Sequence, residues 1–176
     1  QALRQFTGTL IRGRARSSMK RINRRFPYVH PGQTKSFNAS LIVWVDQSGS
    51  VDDEMLSTFF GELRNVNKSI KIDYGPFDCE AREDEIVAWN RGACPDVKRS
   101  RAGGTDFNAP TKVTNDPRNR GRWDGMIIMT DGQANEPEAS RTKRAWILGK
   151  EQSLAFNSSE IQISLNDGKV KFAAWK

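Results

Sequence analysis

Carboxylate and hydroxyl side chains follow an apolar run that ends near residue 46. The stretch LIVWVDQSGSVDDEM places Asp46 directly after five apolar residues, and Ser48 and Ser50 follow at two-residue intervals. Such oxygen atoms are the ligands that hard cations like Mg²⁺ prefer. Alternatively, Ser50 and Asp53 only cap a following helix. That cap would leave Asp46 unexplained, because a carboxylate at the end of a buried strand needs a partner for its charge.

Two later segments offer further oxygen ligands. In RAGGTDFNAP a glycine pair allows a tight turn that presents Thr105, and GMIIMTDG is a second apolar run that ends at an acid, Asp131. Taken singly, each segment also fits an ordinary loop or cap. Asp78 would either reach the metal through water or serve as a turn acid. We interpret Asp106 as a helix cap rather than a direct ligand.

Apolar periodicity predicts the elements that position these groups. Residues 41–45 are uniformly apolar, which is typical of a strand covered on both faces. Residues 51–66 carry an apolar stripe at helical spacing. This alternation predicts an α/β domain with a largely parallel sheet, in which ligands bind beyond the carboxyl ends of the strands. The other predicted strands are residues 70–77, 85–89 and 145–149 and the apolar run that ends at an acid within residues 125–132, followed by a β-hairpin around residues 166–168.

The positive charge is concentrated at the start of the chain. Residues 1–45 contain nine of the 28 Lys and Arg residues and no acid, so the remainder holds 19 bases and all 21 acids. We therefore divide the chain into a basic N-terminal arm or linker, residues 1–35, and a compact domain, residues 36–176. A polybasic arm indicates either an acidic partner such as nucleic acid or a solvated surface segment.

Composition limits the classes of protein to consider. The chain of 176 residues is long enough for one domain and has no apolar run that could span a membrane. Its two cysteines, Cys79 and Cys94, do not indicate a disulfide framework, so we expect a cytoplasmic protein. Neither cysteine has a histidine partner for nucleophilic catalysis, and the single histidine, His30, lies beside prolines.

Five short segments resemble one known family. VDQSGSV, FDCE, GGTDF, MTDG and AWILG, in this order, are similar to the von Willebrand factor A (VWA)-like domain that follows metallopeptidase-type domains in bacterial and phage proteins. SSMKRINRRFPYVHPG resembles the segment that joins the two domains. The resemblance covers most of residues 12–149 and implies a Rossmann-like, doubly wound VWA fold. One histidine cannot form a two-histidine zinc motif, so we expect the metallopeptidase domain to be absent from these residues.

The same resemblance implies a metal-ion-dependent adhesion site (MIDAS). Its cofactor would be Mg²⁺, with Mn²⁺ or Ca²⁺ as substitutes, and one open coordination position would accept an Asp or Glu of a protein partner. A MoxR-type AAA+ ATPase is a partner that the family implies. Mapped residue by residue, the ligands would be Asp46, Ser48, Ser50, Thr105 and Asp131.

Two other functions stay open at this point. A metal-dependent hydrolase or phosphotransferase would use Asp46 as a nucleophile, but the sequence offers no evident general acid or base. We therefore favour a binding module that is not an enzyme and has no catalytic residues. Nucleic-acid binding through residues 4–35 is compatible with this module, since nine bases would contact phosphates.

Overall fold

The computed structural model describes residues 2–10, 14–23, 25–27, 30–36, 39–48, 53–66, 70–89, 103–149, 152–164 and 170–171. Within these ranges a short helix and a two-stranded ribbon precede a seven-stranded sheet. The helices are α1 (Ala2–Leu10), α2 (Asp53–Val66) and α3 (Asn108–Asn115). The strands are β1 (Arg14–Ile22), β2 (Pro31–Ser36), β3 (Ser40–Asp46), β4 (Lys71–Phe77), β5 (Val87–Ala88), β6 (Gly125–Thr130), β7 (Lys143–Leu148), β8 (Ile161–Ser164) and β9 (Val170–Lys171).

The large sheet has the spatial order β5-β4-β3-β6-β7-β8-β9 among the described strands. The four inner pairings are parallel, and short antiparallel strands close both edges. From β3 the chain passes to β4 on one side and later to β6 on the other. The order therefore reverses between β3 and β6, which is where ligands bind in open α/β sheets. The predicted mostly parallel α/β fold is confirmed. The antiparallel pairing of β8 with β9 agrees with the predicted C-terminal hairpin, whose turn around residues 166–168 lies outside the described residues.

Alternate residues of β3 enter two separate hydrophobic clusters, which explains why this strand is uniformly apolar. Leu41, Val43 and Val45 pack on one face with apolar residues of α1 and α2. Ile42 and Trp44 pack on the other face with residues of α3 and the turn before it. The sheet is thus covered on both faces, as in a doubly wound domain.

Helix α1 belongs to the compact body rather than to a free arm. Leu3, Phe6 and Leu10 are buried in the cluster that contains the first face of β3. Gly125 allows this approach, because a Cβ atom there would lie 2.5 Å from Leu10 Cδ1. The division at residues 35 and 36 stays a prediction, but residues 2–10, which the sequence groups with the basic arm, pack on the domain.

The rest of the basic segment forms an antiparallel ribbon of β1 and β2, with pairing from Arg14 opposite Ser36 to Ile22 opposite Pro31. The sequence does not predict these strands, because they lack an apolar alternation. Every helix in the described part of the chain is too short or too polar to cross a bilayer.

Candidate metal centre at the carboxyl ends of β3 and β6

Asp46, the last residue of β3, is at the centre of the candidate site and only 1% exposed. Its two carboxylate oxygens accept hydrogen bonds from different elements. The backbone N–H of Ser48 donates to Oδ1 at 2.9 Å, and the hydroxyl of Thr130 donates to Oδ2 at 2.7 Å. The carboxylate is therefore fixed in orientation at the edge of the sheet.

The register of the sheet explains the contact with Thr130. Val45 of β3 pairs with Met129 of β6, so the next residues, Asp46 and Thr130, lie side by side. Asp131 follows at once and is also buried, and its Oδ1 accepts a hydrogen bond from the backbone N–H of Gln133 at 3.0 Å. The two predicted acids thus occupy neighbouring strand ends, as the parallel arrangement requires.

Thr105 reaches the same point from the loop before α3. Its hydroxyl lies 3.4 Å from Asp46 Oδ1 and 3.3 Å from Oδ2. The loop is attached to the end of β4, since the backbone N–H of Asp106 donates to the carbonyl of Asp78 at 3.1 Å. Gly103 permits the close approach, because a Cβ atom there would lie 3.2 Å from Asp78 Oδ2.

Burial makes the Asp46 carboxylate costly to ionise. Removal from water raises the pKa of Asp46 above its ordinary value, and the negative charge of Asp131 acts in the same direction. Hydrogen bonds from Thr130 and Ser48 oppose this rise in pKa without cancelling it. A cation beside these two carboxylates would offset the cost, because it favours their charged forms.

The donor set fits a small hard cation. It consists of two buried carboxylates and the hydroxyls of Ser48 and Thr105, which are oxygen atoms of the kind that Mg²⁺ accepts. No group of three or more His, Cys, Asp or Glu side chains that could hold a metal occurs among the described residues.

Most of the predicted site residues converge, with some exceptions. Asp46, Ser48, Thr105 and Asp131 come together at one edge, whereas Ser50 lies outside the described residues. Asp78 lies behind the Thr105 loop, where its Oδ1 accepts a hydrogen bond from the N–H of Glu80. Asp106 Oδ1 accepts a hydrogen bond from the N–H of Asn108, the first residue of α3, while Phe107 occupies the N-cap position of that helix.

Sequence reasoning missed Thr130. Its hydroxyl is fully buried and makes the shortest described hydrogen bond to Asp46. The available indication was its place in MTDG, directly before an acid at the end of an apolar run. A polar residue at the end of a fully buried strand requires a partner, and the neighbouring strand end supplies one.

The fold and the polar groups at this edge define a VWA-like domain. Residues 41–157 match the family model described as "VWA-like domain (DUF2201)", and the chain belongs to this family. An uncharacterized protein of Thermotoga maritima is 24% identical over 139 residues, which are 79% of this chain and 34% of the relative. The chain thus spans about a third of that relative's length.

Similar solved structures include two of low sequence identity. The crystal structure of the ArnB paralog VWA2 from Sulfolobus acidocaldarius is 15% identical with a TM-score of 0.46, and the match covers 74% of this chain and 42% of that one. An aerotolerance-related membrane protein from Bacteroides fragilis is 13% identical with a TM-score of 0.46, and the match covers 76% and 80% of the two chains.

Proposed function

We propose that this domain is a metal-ion-dependent protein-binding module with a MIDAS-type site. The ligands would be Asp46, Ser48, Ser50, Thr105 and Asp131, with Mg²⁺ as the ion and Mn²⁺ or Ca²⁺ as substitutes. The observation that supports this proposal is the convergence of Thr105, from a separate loop, on both carboxylate oxygens of Asp46. A helix cap alone would not bring these groups together.

The ligand types suggest what the bound ion would do. Hydroxyl ligands carry no charge, so the ion keeps more of its positive charge than it would among acids only. An open coordination position would then attract a carboxylate from another protein. The partner would present an Asp or Glu side chain, and a MoxR-type AAA+ ATPase is the partner we propose.

We further propose that this module acts within a larger metallopeptidase-like assembly in the cytoplasm. The chain matches about a third of a longer relative, which supports a modular arrangement. Cys79 is an exposed free thiol, which suits a reducing compartment.

Catalysis by the same residues is the weaker candidate. A nucleophilic Asp46 would need to reach a substrate, yet this residue is 1% exposed and both of its oxygens accept hydrogen bonds. A screen with generic phosphoesters is the direct check. Turnover that Asp46→Asn abolishes would replace the binding proposal with an enzymatic one.

The metal site is tested by titrating Mg²⁺ into the metal-free protein and into Asp131→Ala, with calorimetric detection. Because the variant loses one of two carboxylates, we expect its affinity for Mg²⁺ to fall at least about tenfold. Asp84→Ala is the matched control, since this exposed acid lies in the turn Glu83–Glu85. Equal affinities of Asp131→Ala and the wild type would rule out the assignment.

The open coordination position has its own test. A Glu-containing peptide should bind the wild-type protein in Mg²⁺ but not in EDTA, and the same peptide with Gln in place of Glu should not bind. Binding that is indifferent to this replacement would mean that the ion, if present, serves folding only.

A further inference from the structure

The β1–β2 ribbon stands apart from the large sheet. In the described part of the chain its two strands pair only with each other. After β1, Asn23 Oδ1 accepts hydrogen bonds from the backbone N–H groups of Arg25 and Phe26 at 2.9 and 3.2 Å. The described ribbon is therefore a two-stranded unit outside the hydrogen bonding of the large sheet.

The ribbon is strongly and uniformly basic. Residues 14–36 contain seven Lys or Arg and no Asp or Glu. Lys20 and Arg25 are exposed, and neither forms an ion pair with a described residue. By contrast, Arg82 and Arg118 on the body pair with Glu80 and Asp116. The positive charges of Lys20 and Arg25 are therefore not compensated by any described acid.

Large apolar side chains are also exposed on the β1–β2 ribbon and just after β1. Met19, Ile22 and Phe26 are 89%, 65% and 55% exposed, and the only other exposed large hydrophobic residue among those described is Val87. Exposed apolar side chains that alternate along the chain with the exposed cations Lys20 and Arg25 indicate a contact surface.

A cleft near the start of the ribbon carries further cations. It has a volume of about 600 Å³, and its charged lining residues are Arg120, Arg141, Lys143, Asp116 and Asp124. Arg141 and Lys143 donate to backbone carbonyls, and none of the three cations forms an ion pair with a described residue. Leu10 also lines the cleft and the ribbon begins four positions later, at Arg14, so the start of the ribbon lies within about 14 Å of Leu10.

We propose that the ribbon and the rim of the cleft bind double-stranded DNA. A two-stranded β-ribbon fits the major groove of B-form DNA, whose width admits either a helix or such a ribbon. The unpaired cations would contact phosphates, and the exposed apolar side chains would contact thymine methyl groups in the groove. The cleft lies where β3 and β6 begin, since Asp124 accepts from Ser40 and Leu10 lies against Gly125, whereas the candidate metal centre lies where these strands end.

The inference is tested by measuring the affinity for a 20-base-pair DNA duplex over a range of salt concentrations, by fluorescence anisotropy. The double variant Lys20→Ala/Arg25→Ala should bind about tenfold more weakly or worse at 0.1 M salt. The salt dependence of its affinity should also become shallower by nearly two in logarithmic slope. Unchanged affinity and slope would overturn the proposal.

The control Arg82→Ala/Arg118→Ala removes the same charge from exposed positions on the body and should leave the affinity near that of the wild type. If both double variants lose affinity equally, the effect is that of net charge and the site is refuted. Asp131→Ala should bind the duplex normally, which separates this inference from the metal site.

Two other ligands decide between DNA and other polyanions. An A-form RNA duplex has a major groove too narrow for the ribbon, so it should bind more weakly than DNA. Poly-glutamate, which represents an acidic protein, should also bind more weakly at equal charge concentration. Equal or tighter binding of either ligand would overturn groove recognition of DNA.

Discussion

At the scale of single residues, Asp46 depends on neighbours that are distant in sequence. Thr130 comes from the adjacent strand and Thr105 from a loop, and both hydroxyls lie within 3.4 Å of the Asp46 carboxylate. The two hydroxyls differ in their exposure to solvent. Thr130 is buried and serves orientation, whereas Thr105 is partly exposed at the surface of the proposed site.

Replacing Thr130 should weaken the proposed metal site without removing a ligand. Thr130→Val keeps the shape but loses the hydrogen bond to Asp46 Oδ2, and groups that orient metal ligands contribute roughly 10- to 100-fold to affinity. We expect a loss of this size in Mg²⁺ titrations, with recovery in Thr130→Ser. Thr114→Val is the matched control, since Thr114 is also buried but accepts a hydrogen bond from Trp44 Nε1 in the second cluster. A similar loss in both valine variants would contradict the role of Thr130.

The raised pKa of Asp46 should make the metal-free protein sensitive to pH. Because burial raises the pKa in the folded state, the folded protein holds this proton more tightly than the unfolded chain. As pH rises from the ordinary carboxyl pKa through the raised one, the Asp46 contribution to the free energy of unfolding therefore decreases. Asp46→Asn lacks this contribution, so its stability relative to the wild type should increase over that window.

Urea denaturation in EDTA at several pH values measures this difference. The difference between the free energies of unfolding of the wild type and Asp46→Asn cancels the contribution of the other acids, because both proteins contain them. If the free energies of unfolding of the wild type and Asp46→Asn change in parallel with pH, ionisation of Asp46 does not destabilise the folded protein. Mg²⁺ should stabilise the wild type more at the upper end of the window, because the ion competes with the proton.

Most of the candidate site could be predicted because its residues follow recognisable strand ends. Asp46 and Asp131 each terminate an apolar run, and parallel strands carry such ends to one edge. Thr130 could not be assigned in this way. Its role depends on the register of β3 against β6, and register is a property of two strands together rather than of either sequence.

At the scale of elements, α1 is the main difference between the predicted and the observed organisation. Leu3, Phe6 and Leu10 stand at roughly helical spacing in the sequence, but Gly8 weakens this pattern, and grouping them with the basic arm does not predict that they enter the core. Single-sequence patterns identify such a helix poorly, because its stability comes from tertiary packing rather than from local propensity. The sequence does not predict β1 and β2 for a related reason. These strands pair with each other but lack the alternation of apolar and polar residues by which strands are recognised.

Two substitutions in α1 test whether it belongs to the fold. Phe6→Ala removes a side chain that is 1% exposed and should lower the free energy of unfolding by about 3 to 5 kcal/mol. Gly8→Ala should raise it by up to about 1 kcal/mol, because Gly8 is an exposed helical residue with room for a methyl group. Both effects are measurable by urea denaturation. If neither substitution changes stability, residues 2–10 are a free arm in solution.

At the scale of the whole molecule, the sequence predicts the central strands of the large sheet better than the edge strand and the elements outside the sheet. The apolar runs of β3, β6 and β7 are buried on both faces, so their composition alone indicates central parallel strands. The short edge strand β5 was expected over residues 85–89 and is observed at Val87–Ala88. Edge strands have fewer neighbours, so their limits depend on local contacts more than on composition.

The length of β3 sets how far the candidate metal centre lies from the cleft. This strand runs from Ser40, which donates to the cleft residue Asp124, to Asp46, and at about 3.3 Å per residue it spans roughly 20 Å. A protein ligand bound at the proposed ion would therefore leave the cations at the other end of this strand accessible to a second ligand.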